Sequence, residues 1–334
     1  MRAWQIQTAD GIEGLKLATL EPREPGPGEV RVKVRANSIN YRDLSVVSDP
    51  AARGIPLPRI PNSDGAGEVL AAGPGVDGFQ PGDRVAGCFF QNWSDGACSA
   101  EAMASALGGE LDGMLAEEVV LKAAGLVKIP GHLSYAEAAT LPCAALTAWR
   151  ALVDVGRVKA GDTVLLLGTG GVSIFALQFA RLMGARAIVT SSSDEKLERA
   201  KALGAWRTLN YRTTPDWERP VLEMTGGRGV DLTVEVGGAG TLQRSVAATR
   251  IAGVIGFIGV LSDAPVNPRP IMAKSITLQG IYVGPRRSFQ DMNRAIAAAE
   301  LRPVIDRSFA FEEAPEAYRA MRAAGHFGKL VIEF

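Results

Sequence analysis

A five-residue apolar run, Thr163-Val-Leu-Leu-Leu167, opens directly into Gly168-Thr-Gly-Gly-Val172-Ser173 and then into a helical pattern, and this junction constrains the chain more than any other stretch. Glycines bunched between a buried strand and a helix allow a tight turn and a close approach of the backbone to a ligand. The helix start adds unpaired N–H groups and positive dipole, a seat suited to a pyrophosphate. Gly168, Thr169, Gly170, Gly171 and Val172 are therefore candidate dinucleotide contacts.

The pattern around the turn continues in kind. Apolar strands are expected at Ala187–Ser191, Trp206–Asn210, Asp231–Val236 and Val254–Ile258, with a last one at Ile276–Val283. Helices are expected at Val172–Met183, Asp194–Leu203, Trp217–Met224, Leu242–Arg250 and Gln290–Glu300. Helical stretches between apolar runs imply βαβ units and a parallel sheet, at whose carboxyl ends ligands bind. Gly237 and Gly238, and Phe257, Ile258, Gly259 and Val260, follow two such strands and are expected to border the reactive ring of the cofactor.

An acid at the end of the second strand would grip the ribose 2′-OH of NAD. Here that strand ends in Ser191-Ser192-Ser193, so Ser191, Ser192 and the following Lys196 are candidates for a 2′-phosphate, with Tyr211 as a second partner. The plainer readings are an exposed helix lysine and a half-buried loop tyrosine; the surrounding pattern favours NADP.

Residues 1 to 126 have another character. Short Val-alternating runs broken by Gly and Pro, such as Glu29-Val-Arg-Val-Lys-Val-Arg35, read as antiparallel strands of an irregular β-barrel. The C-terminal Lys329-Leu-Val-Ile-Glu-Phe334 resembles this region, which suggests a split domain with the α/β unit inserted. A length of 334 residues also favours two domains. The expected segments are 1–126 in the barrel, 127–265 in the dinucleotide domain, and 266–334 for the last α/β elements and the return.

Composition narrows the function class. The 36 Lys plus Arg balance 36 Asp plus Glu, which argues against nucleic-acid or anionic-membrane partners held by bulk charge. No apolar run is long enough for a membrane span, and the N-terminal stretch lacks an apolar signal region, so the expected location is cytoplasmic. Cys88, Cys98 and Cys143 contain no CxxC pair and are too few for a disulfide framework.

Motifs in order along the whole chain resemble the medium-chain dehydrogenase/reductase superfamily, in particular its zinc-free, quinone-oxidoreductase-like branch. They are Asn37-Ser-Ile-Asn-Tyr-Arg-Asp-Leu44, Ile60-Pro-Asn-Ser-Asp-Gly-Ala-Gly-Glu-Val69, Pro81-Gly-Asp-Arg-Val85, Leu146-Thr-Ala-Trp149, the glycine turn, Glu235-Val-Gly-Gly238 and His326-Phe-Gly-Lys-Leu330. The resemblance implies an α/β protein in which a GroES-like β-barrel catalytic domain carries an inserted Rossmann domain, a doubly wound parallel sheet. It further implies Thr147 near the nicotinamide, Lys329 as a late cofactor contact, and a homodimer formed through Ser275–Gly284.

It also sharpens the question of a metal. Zinc members of the superfamily take ligands from positions matching Asn40, Ser63 and Cys143, of which only Cys143 is a zinc ligand by type, and the structural four-cysteine lobe is missing. Two His in the chain, His132 and His326, cannot build an ordinary site. No metal is therefore expected. Without a Lewis acid an alkoxide is hard to stabilise, whereas hydride attack on a quinone or α,β-unsaturated carbonyl spreads its charge into an enolate or hydroquinone anion. The expected reaction is NADPH-dependent reduction of such a small molecule.

Tyr41 is the candidate proton donor or oxyanion hydrogen-bonder, or else an aromatic wall of the site; Asn40 is a candidate substrate or cofactor contact, or a turn residue. Arg42 and Asp43 are expected to pair or to hold the loop, Ser63 and Asp64 to line the site, and Cys143 to be a packed small residue or a reactive thiol. Arg286 and Arg287 read as a solvated turn that could touch phosphate. Two rival readings stay open: a zinc alcohol dehydrogenase using Cys143 with Asp43 or Asp64, and a cofactor-binding protein without catalysis.

Overall fold

The computed structural model describes residues 1–334 as two compact units, Met1–Leu146 with Val283–Phe334, and Thr147–Tyr282. The first change of unit, after Leu146, lies beyond the expected segment end at 126, and the second, after Tyr282, falls within the 266–334 segment expected to hold the last α/β elements and the return.

The first unit begins with strands β1 (Arg2–Ile6), β2 (Leu15–Thr19), β3 (Glu29–Ile39), β4 (Asp64–Ala72), β5 (Arg84–Gly87), β6 (Glu118–Lys122) and β7 (Leu126–Lys128). The second unit holds β8 (Thr163–Leu167), β9 (Arg186–Ser191), β10 (Arg207–Asn210), β11 (Val230–Glu235), β12 (Thr249–Phe257) and β13 (Thr277–Gly280), and the chain returns to the first with β14 (Ile305–Ala310) and β15 (Lys329–Glu333).

In the first unit a seven-stranded sheet runs β14-β15-β3-β4-β5-β7, with β6 also paired to β3; β1 and β2 form a separate antiparallel ladder. The long strand β3 organises this sheet. Its alternating Val30, Val32 and Val34 point into the core with Val69, Val85, Leu121 and Ile332, while Arg31, Lys33 and Arg35 face away. At its end β3 delivers Asn40 and Tyr41 into the helix Tyr41–Ser48. β15 pairs antiparallel with that same end, Leu330 opposite Ile39, so the C-terminal strand brings Lys329 beside Asn40.

In the second unit the sheet order is β10-β9-β8-β11-β12-β13, all parallel, the doubly wound order with its switch point between β8 and β11. Strand β8 is buried throughout and matches the expected run residue for residue. Other bounds move for local reasons. The helix Ala239–Ala248 ends two residues before Arg250, because β-branched Thr249 starts β12 and its hydroxyl donates to Ser245 O. β13 stops at Gly280, well short of Val283, whose φ of +53° takes the backbone out of the extended region.

The helix expected from Gln290 starts at Arg286. Pro285 sets an extended residue ahead of it, and Phe289, Met292 and Ile296 carry the buried face. Arg286 and Arg287 are thus helical, not a solvated turn: Arg286 Nε donates to Leu126 O at 2.8 Å and Arg287 pairs with Asp291. No helix is long and apolar enough to cross a membrane.

Candidate functional site

The second unit concentrates its open polar backbone at the carboxyl ends of β8 and β11. Gly168 turns the chain at φ +74°, and Gly170 precedes the helix Gly171–Leu182, whose start has no side-chain cap. A Cβ built on either glycine would meet nothing within 4 Å, and the Gly168 N–H donates to Thr190 Oγ1 at 3.3 Å. Ser173 instead turns inward, its hydroxyl donating to Leu167 O at 2.6 Å and pinning helix to strand. Beside the turn lies a cavity of about 360 Å³ whose lining includes Gly168, Thr190, Tyr211, Trp217, Gly237, Thr241 and Arg244. Uncapped helix amides next to a largely apolar slot suit the pyrophosphate and flat rings of a dinucleotide. The nicotinamide cofactor of the family therefore fits the residues present.

The expected contacts divide. Gly168, Tyr211 and Gly237 line this cavity, and Thr169, Gly170, Gly171 and Val172 form the turn and helix start. Ser191 is buried, its Oγ accepting the Ser193 N–H, and Ser193 caps the helix Asp194–Ala202 through the Lys196 N–H. Ser192 and Lys196 remain half-buried at that surface. Thr147 is buried at the start of the unit.

A residue to which the sequence assigned no role, Glu235, organises the far side. It is fully buried, and its Oε1 accepts the N–H groups of Gly237 (2.7 Å) and Gly238 (3.1 Å) and the Thr241 hydroxyl (2.6 Å), while Ser245 donates to Oε2. Its carbonyl accepts from Ile258 and Gly259, both at 2.9 Å. The Glu235 side chain therefore fixes the loop that carries Gly237, and its backbone carbonyl fixes the one that carries Ile258 and Gly259. The available signal was a single acid within the apolar run Leu232-Thr-Val-Glu-Val236.

The first unit holds a second, buried polar cluster. Asn40 is 7% exposed; its N–H donates to Asp43 Oδ2 (2.8 Å), its Oδ1 accepts from Lys329 Nζ (2.5 Å), and its Nδ2 lies 3.5 Å from Ser63 Oγ. Ser63 donates its hydroxyl to Asp64 Oδ1 (2.7 Å), and the Cys143 N–H donates to Asp64 Oδ2 (3.1 Å). Asp43 also accepts the Ser63 N–H, while Arg42 reaches both Asp43 and Leu107 O and lies over the Phe89 ring, so this pair holds the loop. Tyr41, the first residue of its helix, is 50% exposed beside this cluster. Lys329, expected as a cofactor contact, is 3% exposed, and its Nζ is directed at Ile39 O (2.9 Å) and Asn40 Oδ1 within the first unit.

Burial dominates the electrostatics. It pushes the Asp64 carboxyl up to about 6, with Asp43 adding to the rise and Lys329, Ser63 and Asn40 opposing it. Burial, then the Asp64 charge, raises the Cys143 thiol well above its ordinary value, while the residue as a whole keeps part of its surface exposed. Burial lowers Lys329, with Asp64, Cys143 and Asp43 pulling the other way.

This arrangement does not suit zinc. Asn40 Oδ1 is already spent on Lys329 Nζ, the Ser63 hydroxyl is spent on Asp64, and a basic side chain stands among them where a zinc site would need further anionic or imidazole ligands. No three His, Cys, Asp or Glu side chains gather into a metal-holding group.

The alcohol dehydrogenase GroES-like domain family matches residues 26–131, and the zinc-binding dehydrogenase family matches residues 171–298. A zinc-type alcohol dehydrogenase-like protein of Schizosaccharomyces pombe is 45% identical over 332 residues, covering 97% of this chain and 96% of that protein. The human quinone oxidoreductase is 28% identical over 99% of this chain and 97% of its own. Among solved structures, an NAD-dependent alcohol dehydrogenase superposes with a TM-score of 0.91 at 37% identity, each chain covered in full. Kinship that strong along the whole length, joined to a GroES-like unit and a doubly wound nucleotide-binding unit, makes this chain an oxidoreductase of the medium-chain dehydrogenase/reductase superfamily.

Proposed function

We propose that the protein is a metal-independent, NADPH-dependent reductase of quinones or of C=C bonds conjugated to a carbonyl. The observation that carries this reading is the Lys329 ammonium 2.5 Å from Asn40 Oδ1, a fixed cation among the residues that match zinc-ligand positions of the family. A protein built this way offers hydrogen bonds in place of a Lewis acid. Such donors are adequate for an acceptor whose charge delocalises, and inadequate for a localised alkoxide.

The nicotinamide, when bound, supplies a hydride. Gly168, Thr169, Gly170, Gly171 and Val172 hold the pyrophosphate; Gly237, Phe257, Ile258 and Gly259, fixed by Glu235, flank the ring with Thr147. The absence of an acid at the end of β9, with Ser191, Ser192, Lys196 and Tyr211 nearby, supports NADPH over NADH. Asn40 orients the acceptor, and the half-exposed Tyr41 hydroxyl returns a proton to the reduced product and recovers it from water. The exposed edge strand β13 supports pairing with the same strand of a second copy, giving a homodimer.

The test is cofactor consumption by chelator-treated protein with NADPH or NADH against a 1,4-quinone, a 2-alkenal and a saturated ketone. Turnover of the first two with NADPH, and not of the ketone, is expected. Turnover of the ketone alone, or activity only after zinc is restored, refutes the reading.

A further inference from the structure

Of the side chains that line the cavity beside the glycine turn, Arg244 alone carries a charge. It stands on the helix Ala239–Ala248, one turn beyond Thr241, which lines the same cavity. That helix leaves the carboxyl end of β11 and runs back along the sheet. Arg244 therefore lies about 4.5 Å deeper than Thr241, away from the strand ends where the glycine turn sits. Pro215, Trp217, Val236 and Leu261 give the cavity apolar walls.

The partner of Arg244 is Glu218, the first residue of the helix Glu218–Met224. Glu218 Oε2 is 3.6 Å from Arg244 Nε, within ion-pair reach and too far for a hydrogen bond. The same oxygen is buried and accepts no hydrogen bond from elsewhere in the protein. The guanidinium thus offsets a buried carboxylate while its own N–H donors make no hydrogen bond. A second anion beside Arg244 would also stand close to Glu218, and that repulsion would cancel much of the gain. A flat, uncharged ring meets no such penalty: it fits between apolar walls and lies against the planar guanidinium.

We propose that Arg244 is the base-binding residue of the cofactor site, its guanidinium placed by Glu218 against the purine ring, and that it does not bind the 2′-phosphate. This rests on the dinucleotide part of the reading above and deepens it. The cavity is divided by chemistry, with the pyrophosphate at the glycine turn and the base at the depth of Arg244. NADPH and NADH carry the same purine, so Arg244 contributes equally to both.

Calorimetric titration of NADPH, NADH and 5′-AMP into wild type and Arg244→Met tests this. All three dissociation constants should rise by one common factor of about 3- to 30-fold, the range for a guanidinium over an aromatic face. Arg244→Lys should recover little, because an ammonium keeps the charge and lacks the flat face. Glu218→Gln should weaken all three less, and add nothing to Arg244→Met in the double variant, because Glu218 acts through Arg244. A loss confined to NADPH, full recovery by lysine, or losses that multiply in the double variant would overturn the proposal. Should Arg244→Met fold poorly because the Glu218 carboxylate is left without its cation, the comparison is made within Glu218→Gln protein. A wild type that binds none of the three ligands overturns the dinucleotide reading and this inference together; a wild type that binds them, with Arg244→Met unchanged, overturns this inference alone.

Discussion

Asp64→Asn tests the buried cluster quantitatively. The folded protein raises the Asp64 carboxyl from an ordinary 3.8 to about 6, chiefly through burial. Such a rise means that the folded state binds the proton more tightly than the unfolded chain, so Asp64 favours folding most below pH 4, and that contribution is lost as pH climbs through 6. Two pKa values this far apart correspond to about 3 kcal/mol in all, roughly two-thirds of it between pH 4.5 and 8. The groups that face the carboxyl are Lys329, Asp43, Ser63, Asn40 and the Cys143 N–H, with Arg42 beyond Asp43.

Asparagine preserves the shape and both contacts: its carbonyl accepts the Cys143 N–H, and its amide donates to a Ser63 hydroxyl that turns to accept. Urea unfolding of both proteins at intervals from pH 4.5 to 8 should therefore show the variant gaining on wild type by about 2 kcal/mol as pH rises, then levelling above pH 7. A difference that is flat with pH, or that moves in favour of wild type, would refute the view that Asp64 is a desolvated acid with incomplete compensation from Lys329.

Two further outcomes follow from the loops of the second unit. Glu235→Ala leaves the Gly237 and Gly238 N–H groups and the Ser245 hydroxyl without this acceptor, and should cost about 3 kcal/mol in thermal unfolding and weaken binding of the nicotinamide cofactor, with Glu235→Gln intermediate. Gly259→Ala puts a Cβ 2.2 Å from the backbone of Val236, so the loop must shift; a loss of about 1–3 kcal/mol in chemical unfolding is expected, and unchanged stability would show the contact to be slack.

Where local pattern and burial agree, the sequence was a sufficient guide. β8 is buried throughout and aliphatic from Val164 to Leu167, so its bounds needed nothing else, and the glycine turn that follows is set by backbone freedom at Gly168. The Arg286–Arg287 segment was misread because its two charges hide a helical face whose buried members, Phe289, Met292 and Ile296, lie downstream.

The polar partners of Glu235 and Lys329 could be read only in three dimensions. In sequence each is one charge at the end of an apolar strand. The Glu235 side chain gains its donors from the loop and the helix that follow it, and Lys329 gains its partners from the pairing of β15 with β3 across 290 residues of chain. Composition and period determine which residues are buried and in what element, because those depend on neighbours in sequence. Which buried charge meets which polar partner depends on strand register between distant segments, and that is decided when the sheets assemble.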